Sequence, residues 1–549
     1  MRELTLSIPV EQAYDEGELR ARVCRELGLS SSELVGYQLV KRSVDARRRP
    51  IKGRVVLKVF EEEAERVALS PRAIPLRALT ERELRADRPT LLIVGAGPAG
   101  LFAALRALSL GVKPIVLERG ATVRERRRDL AQLNRTGEVN PQSNYCFGEG
   151  GAGTYSDGKL YTRAKKRGAV SLVLQLLADH GAPAEICYEA HPHIGTNRLP
   201  QVIASIREAI IAQGGELRFH ARVTELLIER EGHERRLRGV RLASGEELRG
   251  SGVVLATGHS ARDVFEMLDR QAVQIEAKPF ALGVRIEHPQ ELIDRIQYHG
   301  PRPAVLGSAS YKLVTQARGR GVFSFCMCPG GIIAPAATAS HEVVVNGWSP
   351  YKRNGRFANS GLVVAVEDDD FEPFASQGAL KGLAFQRSIE RSAYEQARER
   401  LSAQGEEGRS LLTAPAQRLE DFLKGRLSSS LPSCSYVPGL VSAPLDELLP
   451  PQLTERLQIA LRAFGERMRG YSSPEALMVG VESRTSSPVR IPRDRVRLEH
   501  PELRGLYPCG EGAGYAGGIM SAALDGMRCA EAALASHEAS GDAWAEFML

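Results

Sequence analysis

Hydrophobic and polar residues follow distinct patterns along the chain, and each pattern predicts an element. Three short runs near the N-terminus have the composition of strands: residues 4–9, 39–44 and 53–60. Residues 15–27 have the pattern of a helix and end at Gly28, a residue typical of a helix C-terminus. Residues 61–88 are charged and contain proline, which indicates a linker or a covering helix. We therefore expect a small α+β domain, of ferredoxin-like type, over residues 1–85.

The pattern changes after this domain. Residues 91–94 form a continuous apolar run, which is typical of a parallel strand buried on both faces. A glycine-rich turn follows at 95–100, and residues 101–110 then have helical composition. A second apolar run at 114–117 ends at Glu118. These elements predict a βαβ unit.

The turn and the acid that follows the second strand have the chemistry of a dinucleotide site. Gly95 permits a tight turn, Gly97 lets the backbone approach a pyrophosphate, and Gly100 allows close packing of helix on strand. The helix N-terminus supplies N–H groups and a positive dipole end for the phosphates. Glu118 is placed to accept hydrogen bonds from the ribose hydroxyls. A carboxylate here argues against NADP and leaves FAD and NAD.

Two later segments bear on the choice between these cofactors. Residues 252–258 form an apolar run that ends in Thr-Gly. Gly510 and Glu511 begin a glycine-rich stretch that leads into a helix at 521–534. Residues 512–517 also match the spacing of a dinucleotide-binding turn, but no second strand with a terminal acid follows them. We interpret this stretch as a loop that closes over a bound cofactor, with its helix N-terminus facing an electron-rich ring edge.

Together these three segments resemble the FAD-binding pattern of the glutathione-reductase-like flavoprotein superfamily. Other segments resemble one branch of it, the largely uncharacterised FAD-utilising dehydrogenases, a family of NAD(P)/FAD-dependent oxidoreductases. They are residues 145–163, 258–263, 326–331 and 480–488. The resemblance spans most of the chain and includes the small N-terminal domain. It implies an α/β fold: a Rossmann-like FAD-binding domain with an inserted mixed α+β substrate domain.

The resemblance implies domain boundaries as well. The FAD-binding domain is expected in two parts, residues 86–275 and 481–549, and the substrate domain lies between them at 276–480. Within the substrate domain, strands are expected at 280–286 and 342–346, and a loop followed by a strand at 357–366.

Individual residues also receive roles from the resemblance. The ADP half of FAD is expected to contact Gly95, Gly97, Pro98, Ala99, Gly100, Glu118 and Arg119, with the adenine near Val223. The cofactor is expected to be flanked by Ala256, Thr257 and Gly258. The ribityl chain and flavin ring are expected to contact Gly510, Glu511, Gly517, Gly518 and Ile519. The superfamily often has Asp where this chain has Glu511, a difference that alters only the reach of the side chain.

A further glycine-rich segment, residues 148–159, is a candidate for the same site. Its backbone N–H groups, including those of Gly151 and Gly153, are expected to hold phosphate or the pyrimidine side of the flavin. A surface loop is the alternative. The segment follows the βαβ unit within the same domain, which favours the cofactor.

Four side chains are candidates for chemistry beside the flavin: Lys159, Cys328, Arg484 and Tyr515. A cation near the N1 and C2=O edge of a flavin stabilises its reduced form, and this is the role expected of Lys159 and Arg484. Either Cys328 or Cys326 is a candidate nucleophile or redox group, with small residues in a turn as the alternative. Tyr515 lies in the closing loop, and His259 either orients the substrate or is structural.

Composition narrows the class of protein. The 549 residues include 43% hydrophobic and 26% charged residues, which excludes a disordered or collagen-like chain. The net charge of +6 does not require nucleic acid or an anionic membrane as partner. The eight cysteines contain no CxxC, so neither a metal site nor the dithiol of the disulfide reductases is indicated. No signal peptide or membrane span is expected, which favours a cytoplasmic protein.

We therefore expect a soluble FAD-dependent oxidoreductase, a dehydrogenase or reductase, acting on a small organic substrate through non-covalently bound FAD. With one dinucleotide fold, its electrons come from the substrate, from transiently bound NAD(P)H or from a protein redox partner; a homodimer is also compatible with the sequence. A flavin monooxygenase is one alternative. A flavin-containing RNA-binding or RNA-modifying protein is another, motivated by the basic hairpin at 41–54.

Overall fold

A computed structural model describes residues 2–60, 62, 90–162 and 168–538 of the chain. The helices of this part are α1 (Val10–Tyr14), α2 (Glu16–Leu27), α3 (Pro98–Ser109), α4 (Val123–Thr136), α5 (Val170–Asp179), α6 (Leu199–Ala212), α7 (Arg262–Arg270), α8 (Gln290–Gln297), α9 (Lys381–Ser402), α10 (Leu419–Lys424), α11 (Leu445–Leu448), α12 (Pro451–Arg467) and α13 (Ile519–Glu538).

The strands are β1 (Arg2–Pro9), β2 (Gly36–Asp45), β3 (Lys52–Phe60), β4 (Thr90–Val94), β5 (Lys113–Leu117), β6 (Glu216–Arg218), β7 (Val223–Glu231), β8 (Glu234–Leu242), β9 (Glu247–Arg249), β10 (Gly252–Leu255), β11 (Glu276–Ala277), β12 (Phe280–Pro289), β13 (Val314–Ala317), β14 (Arg320–Pro335), β15 (Val345–Trp348), β16 (Phe357–Val366), β17 (Ala414–Arg418), β18 (Leu440–Ser442), β19 (Leu477–Glu482), β20 (Val489–Arg490) and β21 (Leu506–Pro508).

A parallel sheet in the order β21-β10-β4-β5-β6 forms the first large unit. Alternate side chains of β4 explain why its sequence is apolar throughout. Leu91 and Ile93 belong to one apolar core with residues of α3, α5, α6 and α13, whereas Leu92 and Val94 belong to a second core with residues of α7 and of the antiparallel β7-β8-β9 sheet. Both faces are therefore covered, as a parallel sheet requires. The predicted βαβ unit is present as β4, α3 and β5.

A mixed sheet in the order β13-β14-β16-β12-β19-β17-β18 forms the second unit, with β15 paired to β14. The predicted strand at 342–346 begins only at Val345, and residues 357–366 are strand throughout, without the expected leading loop. The short pair β11 and β20 lies where the chain enters and leaves this unit. Strand β19 runs across the expected boundary at 480/481 and belongs wholly to the mixed sheet.

The N-terminal unit is an antiparallel sheet in the order β1-β3-β2. Along the chain, α1 and α2 lie between β1 and β2. Asp15 begins α2 by accepting a hydrogen bond from the N–H of Glu18 at 2.8 Å, and Gly28 ends it with φ of 68°. The turn of the basic hairpin at 41–54 packs on the mixed-sheet unit, since Arg49 donates to the carbonyls of Tyr298 and Pro301. That contact uses part of the hairpin that motivated the RNA-binding alternative.

The expected linker or covering helix at 61–88 lies, apart from residue 62, outside the described residues. None of the helices that the structure describes is both long and apolar enough to cross a membrane.

Candidate functional site

The turn after β4 requires glycine at Gly95 and Gly100, whereas its third glycine, Gly97, borders open space. A Cβ on Gly95, whose φ is +105°, would lie 2.5 Å from the carbonyl oxygen of Ala256. A Cβ on Gly100 would lie 1.9 Å from the carbonyl oxygen of Gly95. Gly97 has an ordinary extended φ of −77°, and a Cβ there would meet nothing within 4 Å. The N-terminus of α3, which has no side-chain cap, therefore faces open space.

Three further glycines border open space in the same way: Gly258, Gly517 and Gly518. The loop at 148–159 closes one side, because a Cβ on Gly151 would lie 3.2 Å from the Cα of Gly97. A Cβ on Gly153 would lie 3.3 Å from Pro98 and 3.5 Å from Ile519. The structure thus brings together all four segments singled out in the sequence. A helix N-terminus and the backbone of several glycines therefore border one open space, which offers the N–H donors and the close backbone approach that a diphosphate group requires.

Glu118 lies beneath this turn and is 6% exposed. Its carboxylate accepts hydrogen bonds from the N–H groups of Ala96 at 2.9 Å, Gly120 at 2.9 Å and Gly148 at 3.0 Å. The side chain expected to hold the ribose is therefore also the group that joins the turn to the loop at 148–159. Its position at the end of β5 is as predicted.

The closing loop is held by a carboxylate and an imidazole. Glu511 accepts a hydrogen bond from the N–H of Gly518, and its Oε2 lies 3.2 Å from Nδ1 of His259. Nε2 of His259 lies 3.1 Å from the carbonyl oxygen of Arg484. Although burial opposes it, the hydrogen bond from His259 lowers the pKa of Glu511.

The other residues expected to contact the cofactor lie after β5, at the start of β7, after β10 and after β21. Arg119 donates to Asp263 at 2.7 Å and stacks 4.4 Å from the centroid of the Phe147 ring. Val223 begins β7 and is buried in the core on one face of the parallel sheet. Ala256, Thr257 and Gly258 follow the end of β10, and Ala256 donates to the carbonyl of Val94. The N–H of Gly510 donates to Asp525.

Two of the candidate catalytic residues meet at the far end of the loop at 148–159. Nζ of Lys159 lies 3.9 Å from Sγ of Cys328 and 3.8 Å from Sγ of Cys326, and it donates to the carbonyl of Met327. Asp157 lies 3.5 Å from the same ammonium. Although burial opposes it, the neighbouring cysteines and Asp157 raise the pKa of Lys159.

The other two candidates are held by neighbours. Arg484 is 5% exposed and donates to Glu390, Glu342 and Thr338 through its three nitrogens. Its charge is balanced within this buried network, which engages four of the five N–H groups of the guanidinium. The ring of Tyr515 lies 3.9 Å beneath the guanidinium of Arg493.

Sequence reasoning missed a buried ion pair next to the cysteines. Arg285 on β12 is 0% exposed and donates to Glu482 on β19 at 2.7 Å. It also donates to the carbonyl of Cys326 at 2.8 Å. Burial raises the pKa of Glu482 to about 7. The sequence contains a signal for this ion pair, because one charged residue lies within each of two strongly apolar runs, at 280–286 and 477–482. Charged residues are rarely fully buried unless they are paired.

One group of potential metal ligands exists among the described residues: Cys509, Asp525 and Cys529. Arg493 already supplies the positive charge there, donating to both oxygens of Asp525 and to Sγ of Cys529 at 3.2 Å. This geometry serves to hold the closing loop, because Asp525 also accepts from the N–H of Gly510.

Comparison with known proteins adds the following. Residues 279–485 match the family described as FAD-dependent protein, C-terminal domain-like, and residues 1–60 match a domain of unknown function. An uncharacterised protein of Clostridium beijerinckii is 40% identical over 534 residues, which cover 94% of this chain and 96% of that protein.

Solved structures are similar to the chain only at low sequence identity and low TM-score. PqsL of P. aeruginosa, in complex with 2-aminobenzoylacetate, is 13% identical with a TM-score of 0.33, over 82% of this chain and 91% of that one. CtdE in complex with FAD and a substrate is 11% identical with a TM-score of 0.32, over 82% and 81%. Scores this low do not assign an activity.

Proposed function

Because the chain belongs to the same family as the Clostridium beijerinckii protein and carries a FAD-dependent protein C-terminal domain, we propose that it is an FAD-dependent oxidoreductase. It binds FAD non-covalently and acts on a small organic substrate by hydride or electron transfer.

The observation that carries the proposal is the open, backbone-lined cradle at Gly97. Four separate segments of the chain converge on this cradle. Four glycines border it, and a side chain at any of these positions would extend into the open space: Gly97, Gly258, Gly517 and Gly518. A diphosphate needs N–H donors and close backbone approach, which this arrangement offers. Glycine is not needed at Gly97 for the fold itself, since its φ is ordinary and its surroundings are empty.

When bound, FAD supplies two-electron chemistry; the chain's own residues bind and position it. The turn at 95–100 and the uncapped α3 would hold the diphosphate, and Glu118 fixes the shape of that turn. Glu511, paired with His259, holds the first turn of α13 through the N–H of Gly518. The positive end of the α13 dipole would then favour an electron-rich edge of the flavin ring.

The test is an absorbance spectrum of the purified protein, and of the apoprotein after incubation with FAD and removal of excess. We expect a bound-flavin spectrum, with the flavin released by acid precipitation. Flavin that stays with the precipitate would contradict non-covalent binding. No flavin spectrum after incubation would overturn the proposal.

Anaerobic addition of NADH or NADPH then identifies the source of electrons. Bleaching would make the protein an NAD(P)H-dependent reductase or monooxygenase. A flavin that does not bleach would point to electrons from the substrate itself or from a protein partner. Oxygen consumption coupled to an oxygenated product would favour the monooxygenase over the dehydrogenase.

A further inference from the structure

Cys326 and Cys328 differ sharply in exposure although only one residue separates them. The register of β14 against β16 breaks between Phe325 and Cys328, and Cys326 takes a φ of +46°. This bulge leaves Cys326 exposed and Cys328 completely buried. Bulges often turn a side chain out of a sheet at functional positions.

The two thiols share a cationic environment. The Cys328 thiol donates to the carbonyl oxygen of Cys326 at 3.2 Å, and the ammonium of Lys159 lies 3.8 Å from Sγ of Cys326 and 3.9 Å from Sγ of Cys328. Behind them, Nη2 of Arg285 lies 3.5 Å from Sγ of Cys328. The anions that face Lys159 and Arg285 are Asp157 and Glu482.

This environment separates the two thiols chemically. The hydrogen bond from Cys328 and the charges of Lys159 and Arg285 lower the pKa of Cys326. The hydrogen bond to Cys326 and burial raise the pKa of Cys328. An exposed thiolate beside a buried thiol is the arrangement of an attacking and a resolving cysteine.

The pair also lies at the end of the segment that borders the cofactor cradle. Gly153 packs against Pro98 and Ile519, and Lys159 follows it by six residues. Even a fully extended segment of that length spans only about 20 Å. The dithiol and the cradle are thus joined by one short stretch of chain.

We propose that Cys326 and Cys328 form a redox-active dithiol that reduces a small-molecule disulfide, with exposed Cys326 attacking and buried Cys328 resolving. The inference rests on the proposed function, because the flavin is the source of the electrons.

Two successive thiol–disulfide exchanges transfer two electrons from the cysteine pair to the substrate. The Cys326 thiolate attacks one sulfur of the disulfide, the substrate S–S bond breaks, and the first thiol leaves after taking up a proton from solvent. Cys328 gives up its proton to the second leaving sulfur and attacks Sγ of Cys326, so the mixed disulfide breaks and the Cys326–Cys328 bond forms. The substrate gains two electrons and the pair loses two. The two electrons and one proton that restore thiolate and thiol are what a reduced flavin supplies.

The first experiment measures alkylation of each cysteine by iodoacetamide across pH in the full-length protein, with peptides resolved by mass spectrometry. Cys187 is the internal control, because its surface is exposed and partial desolvation of its sulfur raises its pKa. At pH 7 we expect Cys326 to react at least about tenfold faster than Cys187. In Lys159→Met the titration of Cys326 should move to higher pH, and Lys159→Arg should restore it.

The second experiment treats the protein with oxidised glutathione. The wild type and the control Cys187→Ser should release two glutathiones and form the Cys326–Cys328 disulfide. Cys328→Ser should keep one glutathione attached at Cys326, and Cys326→Ser should form neither product. Equal alkylation rates for Cys326 and Cys187, or a stable glutathione adduct on the wild type, would overturn the inference.

Flavin content is read from the absorbance of the same samples, so the two proposals fail separately. A protein that binds FAD but leaves Cys326 unreactive overturns the dithiol alone. A protein that forms the disulfide but takes up no FAD overturns the proposed function and, with it, the source of the electrons.

Discussion

Two glycines of the same turn separate cofactor binding from folding. In Gly97→Val the added side chain enters the open space before α3, where a Cβ meets no protein atom within 4 Å. In Gly100→Ala the added Cβ would lie 1.9 Å from the carbonyl oxygen of Gly95, so α3 and the turn must move apart. We expect the first variant to lose FAD while it stays folded, and the second to lose stability.

The magnitudes follow from these distances. Gly97→Val changes only the N-terminal capping position of α3, which costs the apoprotein less than about 1 kcal/mol. Filling the cradle displaces the phosphates from about two backbone N–H groups, and hydrogen bonds to a charged group contribute about 1.5–3 kcal/mol each. The affinity for FAD should therefore fall about 100-fold or more. Gly100→Ala should lower the free energy of unfolding by about 3 kcal/mol, as overpacking does.

The assay pairs calorimetric titration of each apoprotein with FAD and urea unfolding of the same preparation. Gly408→Val is the matched control, because its added Cβ also meets nothing within 4 Å and the residue is exposed. The control should keep both the affinity and the stability of the wild type. Unchanged FAD affinity in Gly97→Val would refute the placement of the diphosphate.

Three further predictions concern buried charges. Glu118→Ala leaves three backbone N–H groups without their acceptor and should lower the free energy of urea unfolding by about 3 kcal/mol. Arg484→Met leaves Glu342 and Glu390 without one of their cations and should cost about 3–5 kcal/mol in the same assay; an arginine used only in catalysis would leave it unchanged. Burial raises the pKa of Glu482 from 4.5 to about 7, so the folded protein binds a proton that the unfolded chain releases. Stability from this group is complete below about pH 4.5 and lost as the pH rises through about 7, a dependence that Glu482→Gln should remove in unfolding measured from pH 4 to 8.

Local chemistry explains which parts of the fold were predictable. The β4-α3-β5 unit followed from apolar runs and from glycines whose steric need is local, as at Gly95 and Gly100. The ion pair of Arg285 and Glu482 did not, because its partners lie 197 residues apart and meet only through pairing of β12 with β19. The contrast between Cys326 and Cys328 depends on a register break with β16, which the sequence of one strand does not reveal.

A buried charge network limits how the two large units can move. Arg262 extends from the parallel-sheet unit and donates to Glu342 of the inserted domain at 2.7 Å, while Arg484 reaches the same carboxylate at 3.2 Å. Rotation about the β11 and β20 connection would separate these charges at a cost of several kcal/mol, since each would be left unpaired in the interior. Lys159 belongs to the first unit and Cys326 to the second, so the network also fixes their spacing. Exposed Cys326 is therefore held beside Lys159 without any hinge motion between the units.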